Sequence, residues 1–126
     1  MTEASPWIAI VDDDPAVLKA LSRLLRSHAF DARTYGSGRE FLAALPGGLP
    51  ECLIVDLQMP EMNGIELQQH LLRNGIKIPT ILITAHGDAA LREHEGGVVA
   101  SLRKPLQKEA LFEAIDRALG GSRKGG

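Results

Sequence analysis

Short apolar segments alternate with longer amphipathic segments along almost the whole chain, and this alternation limits the possible folds. Five segments have the length of a strand, and each is followed by apolar residues at helical spacing. Most strand segments, such as "WIAIV" and "CLIVDL", lack the polar alternate positions of a half-exposed strand. The pattern therefore predicts an α/β protein: a parallel sheet with helices on both faces, joined by right-handed crossovers.

The predicted elements number five strands and five helices, in strict alternation. The strands cover 7–11, 31–35, 52–57, 78–85 and 98–102, and the helices cover 15–30, 38–45, 65–74, 88–97 and 108–121. The fourth helix, "DAALREHEGG", contains two glycines and is a poor helix by composition.

Size and charge favour one cytoplasmic domain. A chain of 126 residues with 44% hydrophobic residues forms one core, which we place at 7–119, with a disordered segment at 1–6 and a flexible glycine-rich tail at 120–126. A net charge of -2 gives no reason to expect binding to nucleic acid or to a membrane surface. The single cysteine, Cys52, is expected to be a buried, reduced thiol, which fits the cytoplasm.

Polar side chains stand where four predicted strands end, and ligands of open parallel sheets bind beyond these ends. They are the acidic run 12–14, Asp56, Thr84 and Lys104. Unpaired, the carboxylates would repel one another, whereas a divalent cation would keep them all ionised. An all-oxygen site suits Mg²⁺, which is most useful beside phosphate. An aspartate can attack phosphorus, and a threonine and a lysine can stabilise phosphoryl oxygens.

Each of these residues also has a purely structural interpretation. Asp14 before Pro15 has the order of an N-cap and a first helical residue, and we assign it mainly that role. Asp12 and Asp13 alone would be a solvated turn, Thr84 alone ordinary strand composition, and Lys104 alone a surface lysine. Their shared position at strand ends favours the functional interpretation.

Four motifs in order, "VDDD", "DLQMPEMNG", "ITA" and "KP", make the chain resemble the receiver domains of bacterial response regulators. The resemblance extends over roughly 7–119. It implies a flavodoxin-like (βα)5 fold with a doubly wound parallel sheet of strand order 2-1-3-4-5. It also implies a phosphoacceptor switch in two-component, or phosphorelay, signalling.

The resemblance assigns roles by position. Asp56 would accept the phosphoryl group from a phosphohistidine of a histidine kinase. Mg²⁺ would be held by Asp13 directly, by Asp12 through water, by Asp56 and by the backbone carbonyl of Gln58. Gly64, in the loop before the third helix, would suit a backbone conformation that a side chain would strain.

The remaining assignments concern the phosphoryl group and the switch. Thr84, Ala85 and Lys104 would bind the phosphoryl group and respond to it, and the peptide bond before Pro105 would be cis. Ser101 departs from the family, because receivers usually carry Tyr or Phe three residues before the lysine. We therefore hypothesise that phosphorylation is read out through Thr84 and the loop after strand four, or that helix four orders on activation.

The implied partners are a sensor histidine kinase or phosphotransfer protein and an output domain or partner. A homodimer through the fourth helix, fifth strand and fifth helix is also implied. Two other functions remain open. One is a Mg²⁺-dependent phosphohydrolase with Asp12 as nucleophile and Asp14 as acid, although this leaves Asp56 unexplained. The other is a receiver that acts without phosphorylation. Unless the chain is the phosphohydrolase, we expect it to be no enzyme but a domain that promotes its own phosphorylation and dephosphorylation.

Overall fold

Five parallel strands form one sheet. The computed structural model describes residues 7–85 and 98–120. Its strands are β1 (Trp7–Val11), β2 (Asp31–Tyr35), β3 (Cys52–Asp56), β4 (Thr80–Thr84) and β5 (Val98–Arg103). They lie in the order β2-β1-β3-β4-β5, and every neighbouring pair is parallel. This confirms the flavodoxin-like strand order.

Four helices are described, and each begins within one residue of its predicted start. They are α1 (Pro15–Ser27), α2 (Gly38–Ala44), α3 (Gly64–Arg73) and α4 (Lys108–Ala118), with a short 3-10 turn at Leu45–Gly47. The predicted fourth helix at 88–97 lies outside the described residues, as do 1–6 and 121–126. The label α4 therefore belongs to the helix that was predicted as the fifth. No described helix has the length and apolar character needed to cross a membrane.

The sheet separates two apolar cores, because successive side chains of a strand point to opposite faces. In β1, Ile8 and Ile10 join the core beneath α1 and α4, whereas Ala9 and Val11 join the core beneath α2 and α3. All four side chains are buried. Burial on both faces explains why the strand sequences carry so few polar residues.

Both α1 and α3 end in a Schellman motif, in which a left-handed residue closes the helix. In α3 that residue is Gly75, with φ 74°. In α1 it is Ala29, with φ 69°. Ala29 N donates to the Arg26 carbonyl and Phe30 N to the Leu25 carbonyl, both at 3.0 Å. Alanine is disfavoured in this conformation because its Cβ approaches the backbone, so α1 ends with a strained residue.

Ala29→Gly is expected to raise the free energy of unfolding by up to about 1 kcal/mol, because glycine adopts the left-handed conformation without strain. The matched substitution at the other motif, Gly75→Ala, should lower it by about 1 kcal/mol. Urea unfolding with a constant m-value measures both. A destabilised Ala29→Gly variant would contradict this account of how α1 ends.

Candidate functional site

Asp56 is the last residue of β3, which lies between β1 and β4 in the sheet. All five residues of this strand are buried, and Asp56 is only 6% exposed. A buried carboxylate needs partners to offset the loss of water. Its Oδ1 accepts a hydrogen bond from Gln58 N at 3.1 Å, and its Oδ2 lies 3.4 Å from Lys104 Nζ.

Asp12 directly follows β1, the strand beside β3, and is 2% exposed. Its Oδ1 accepts a hydrogen bond from Asp14 N at 2.9 Å. Its Oδ2 is buried without a hydrogen-bond partner among the described residues. Lys104 Nζ is 3.9 Å from this oxygen, which is an ion pair but not a hydrogen bond. Asp12 therefore keeps one acceptor unsatisfied inside the protein.

Three carboxylates converge at this edge of the sheet. Asp12, Asp13 and Asp56 each offer an oxygen, and these oxygens lie within 4.8 Å of one another. Asp13 is exposed, so the cluster opens to solvent on one side. Hard oxygen donors at this spacing fit a divalent cation such as Mg²⁺, and the unsatisfied Asp12 oxygen is a free ligand atom for it.

The pKa of Asp12 reflects this surrounding. The pKa of Asp12 is raised from 3.8 to about 6, mainly by burial and also by the negative charges of Asp56 and Asp13, which together outweigh the lowering effects of the Asp14 backbone hydrogen bond and the Lys104 charge. Without a cation, the cluster therefore disfavours the ionised form of Asp12. A bound divalent cation would favour that form.

Thr84 and Lys104 complete the same edge. Thr84 ends β4, is 1% exposed, and accepts a hydrogen bond from Lys104 N at its carbonyl, at 2.9 Å. This contact holds the end of β5 beside β4, and the Lys104 side chain, 34% exposed, reaches back to Asp56. Ala85, directly after Thr84, is exposed. The Lys104–Pro105 peptide bond is cis, as the resemblance implied.

The loop from β3 to α3 is constrained by space at Gly64. A Cβ at this position would lie 2.9 Å from the Asp56 carbonyl oxygen and 3.2 Å from Leu57 Cα. Gly64 has no left-handed φ, so the reason expected from the sequence is wrong. The glycine is needed because α3 begins against the backbone at the end of β3, where Asp56 lies. The left-handed residue of this loop is Glu61, with φ 70°.

Gly64→Ala is expected to cost about 1–3 kcal/mol of unfolding free energy, since backbone atoms of β3 must move to admit the methyl group. The movement should also displace Asp56, which the resemblance assigns as the phosphoacceptor, and should therefore slow phosphorylation of the chain. Urea unfolding and phosphorylation rates measure the two effects. Gly47→Ala is the matched control, because a Cβ there meets nothing within 4 Å, and it should change stability by less than about 0.5 kcal/mol.

Ser101 lies in β5, is half-buried and pairs in register with Leu82 of β4. It thus occupies the expected place three residues before Lys104. Asp14 acts as the predicted N-cap of α1, since its Oδ1 accepts from Ala16 N at 2.9 Å.

One hydrogen bond that positions the site was not predicted from the sequence. Asp12 N donates to the Tyr35 carbonyl at 3.1 Å, which ties the acidic turn to the end of β2. The contact is made by main-chain atoms, so residue types carry no signal for it.

Three comparisons bear on this site. The model of the response regulator receiver domain matches residues 8–116. The response regulator protein TodT of Pseudomonas putida is 40% identical over 121 residues, 94% of this chain and 53% of that protein. The transcriptional regulatory protein FixJ of Rhizobium meliloti (strain 1021) is 38% identical over 113 residues, 88% of this chain and 55% of that protein.

A solved structure agrees with these relatives. The receiver protein from Burkholderia phymatum is 45% identical with a TM-score of 0.77, over 92% of this chain and 96% of that one. The chain spans about half the length of the curated relatives TodT and FixJ. Since the family model covers most of the sequence and the fold and strand order agree, the chain belongs to the response regulator receiver domains, the phosphoacceptor domains of two-component signalling.

Proposed function

We propose that Asp56 is the phosphoacceptor of this receiver domain, which we assign to residues 7–119. The observation that supports this most strongly is the surrounding of its carboxylate. Asp56 is buried at the end of the central strand, 3.4 Å from the Lys104 ammonium, and its carboxylate belongs to the cluster with Asp12 and Asp13. A purely structural carboxylate at that position would need no second and third acid beside it.

In the proposed reaction, an Asp56 carboxylate oxygen attacks the phosphorus of a phosphohistidine on a sensor kinase or phosphotransfer protein. The O–P bond forms, the P–N bond breaks, and the imidazole leaves. The Lys104 ammonium stabilises the charge of the phosphoryl oxygens. The Thr84 hydroxyl and the backbone N–H of Ala85 donate hydrogen bonds to the same oxygens.

We assign Mg²⁺ to the carboxylates of Asp12, Asp13 and Asp56 and to the backbone carbonyl of Gln58. The unsatisfied Oδ2 of Asp12 supports this assignment. When bound, Mg²⁺ supplies positive charge that neutralises the carboxylates and the incoming phosphoryl group.

The domain then acts as a switch and not as an enzyme with an external substrate, although its own residues promote phosphorylation and dephosphorylation. Because Ser101 supplies no aromatic ring, we propose that Thr84 and the loop after β4 transmit the change to an output domain or partner protein. FixJ is named as a transcriptional regulatory protein, which is an example of such an output. We place the protein in the cytoplasm, where sensor kinases phosphorylate their regulators.

Chemical trapping tests the acceptor. The chain is incubated with Mg²⁺ and acetyl phosphate and then reduced with borohydride, which converts an aspartyl phosphate to homoserine. Peptide mapping is expected to find homoserine at position 56. Homoserine at position 12 would instead favour the phosphohydrolase, and unmodified peptides would favour a receiver that works without phosphorylation.

A further inference from the structure

The outward side of α1 carries only positive charge. Lys19, Arg23 and Arg26 are exposed, and their spacing of four and then three residues places them along one side of the helix. No acidic residue occurs between Pro15 and Ser27. The Arg26 guanidinium also donates to the Ala32 carbonyl at 2.8 Å, which fixes the last member of the row. We name these three residues the basic stripe.

The outward side of α4 carries a matching negative row. Glu109, Glu113 and Asp116 are exposed and have the same spacing of four and then three residues. The helix also carries two cations, Arg117, which donates to the Val99 carbonyl at 3.0 Å, and Lys108 in the first turn, and the three acidic side chains outnumber them. We name Glu109, Glu113 and Asp116 the acidic stripe.

The two stripes lie on the same face of the molecule, because α1 and α4 cover the same core. Within residues 7–85 and 98–120, no ion pair joins either stripe to the other or to any other charged group. Each helix therefore presents its charge to solvent. Two neighbouring helices of opposite charge make this face complementary to itself.

An apolar cleft adds to this face. It has a volume of about 410 Å³ and is lined by the rings of His28, Phe30 and Phe112, with Ile115, Lys108 and the acidic stripe's Glu109 and Asp116 beside them. The His28 and Phe112 rings are stacked, with centroids 4.0 Å apart. An apolar centre with charged residues around it is the usual composition of a protein interface.

We propose that two copies of this chain associate through the α1–α4 face. In a twofold arrangement whose axis runs along the helices, the basic stripe of each copy faces the acidic stripe of the other. Because α1 and α4 both run back from the same edge of a parallel sheet, the facing stripes are parallel and share one spacing. A twofold axis that lies in the interface but runs perpendicular to the helices would place the two basic stripes against each other and the two acidic stripes against each other. This repulsion disfavours that arrangement.

A second copy fits this face better than an unrelated protein, because it carries both signs of charge at the required spacing. The face also differs from the homodimer surface that the resemblance implies, since that surface includes the predicted fourth helix.

Sedimentation equilibrium of two variants tests the proposal. One carries Lys19→Glu with Arg23→Glu, and the other carries Glu113→Lys with Asp116→Lys. All four positions are exposed, so the charge reversals leave the core unchanged. The wild type is expected to dimerise at low salt, and each variant alone to dissociate at least ~10-fold more readily. An equimolar mixture should form a heterodimer within ~3-fold of wild-type affinity, because both stripe contacts are then complementary.

A control variant separates stripe pairing from general charge attraction. Arg73→Glu with Lys77→Glu makes the same change in net charge as the α1 variant, at exposed positions on and just after α3. It should dimerise like the wild type, and mixing it with the α4 variant should not restore affinity. The proposal is overturned by a wild-type chain that stays monomeric at low salt up to ~1 mM, or by a mixture of stripe variants that stays monomeric. Equal weakening by the α3 control would overturn it as well.

Discussion

Asp56→Asn is expected to abolish phosphorylation of the chain by acetyl phosphate. The amide nitrogen that replaces one carboxylate oxygen is a poor nucleophile toward phosphorus, and the remaining amide oxygen lacks the negative charge. The side chain keeps its size, so the buried position at the end of β3 is still filled. A phosphate-affinity gel measures the phosphorylated fraction directly.

Asp31→Asn is the matched control, because Asp31 is an exposed aspartate at the start of β2, the opposite end of the sheet from the cluster. It should be phosphorylated like the wild type. A phosphorylated fraction in Asp56→Asn equal to that of the control would show that another residue is the acceptor.

Asp12→Asn is expected to stabilise the metal-free protein at neutral pH by about 1–3 kcal/mol while weakening Mg²⁺ binding. The folded state raises the pKa of Asp12 to about 6, mainly through burial, so ionised Asp12 is a cost to the folded protein. Asparagine removes this cost. Its amide oxygen can still accept the hydrogen bond that Asp14 N donates to Oδ1.

The pH dependence has a definite sign. Between the ordinary value of 3.8 and about 6, the folded state binds more protons at Asp12 than the unfolded state, so the stability of the metal-free wild type falls as pH rises through this range. The advantage of Asp12→Asn should therefore be small near pH 4 and complete by pH 7. Urea unfolding in EDTA at the two pH values measures it.

Asp13→Asn provides the comparison, because Asp13 is exposed but belongs to the same cluster. It should weaken Mg²⁺ binding but stabilise the metal-free protein much less than Asp12→Asn does, because the Asp13 charge is only a minor cause of the raised Asp12 pKa. A metal-free Asp12→Asn variant less stable than the wild type at pH 7 would contradict the burial account. Saturating Mg²⁺ should reverse the order of wild type and Asp12→Asn, because only the wild type gains the full binding energy.

The fold was largely predictable because short apolar strand segments alternate with segments that carry apolar residues at helical spacing, and both signals indicate the same α/β architecture. Strands with no polar alternate positions had to be buried on both faces, and Asp14-Pro15 marked the start of α1. The end of α1 was predicted at Phe30, three residues too late, since its left-handed residue is Ala29 and no glycine marks the stop. In α3, by contrast, Gly75 gave the end to within one residue.

The cluster was predictable from strand direction alone. Parallel strands bring their carboxyl ends to one edge, so Asp12, Asp56 and Lys104 had to be neighbours once the sheet was recognised. The sequence did not reveal which of three consecutive aspartates is buried, because that depends on how the turn after β1 meets β2. The role of Gly64 was also missed, since close contact with the Asp56 backbone is a property of the packed structure.

The most direct test of the central claim is the intact mass of the wild-type chain after incubation with acetyl phosphate, with Mg²⁺ in one sample and EDTA in the other. We predict the addition of one phosphoryl group with Mg²⁺ and none with EDTA, because the Asp12, Asp13 and Asp56 carboxylates need the cation to act together. An unchanged mass in both samples, or the same addition in EDTA, would contradict the claim.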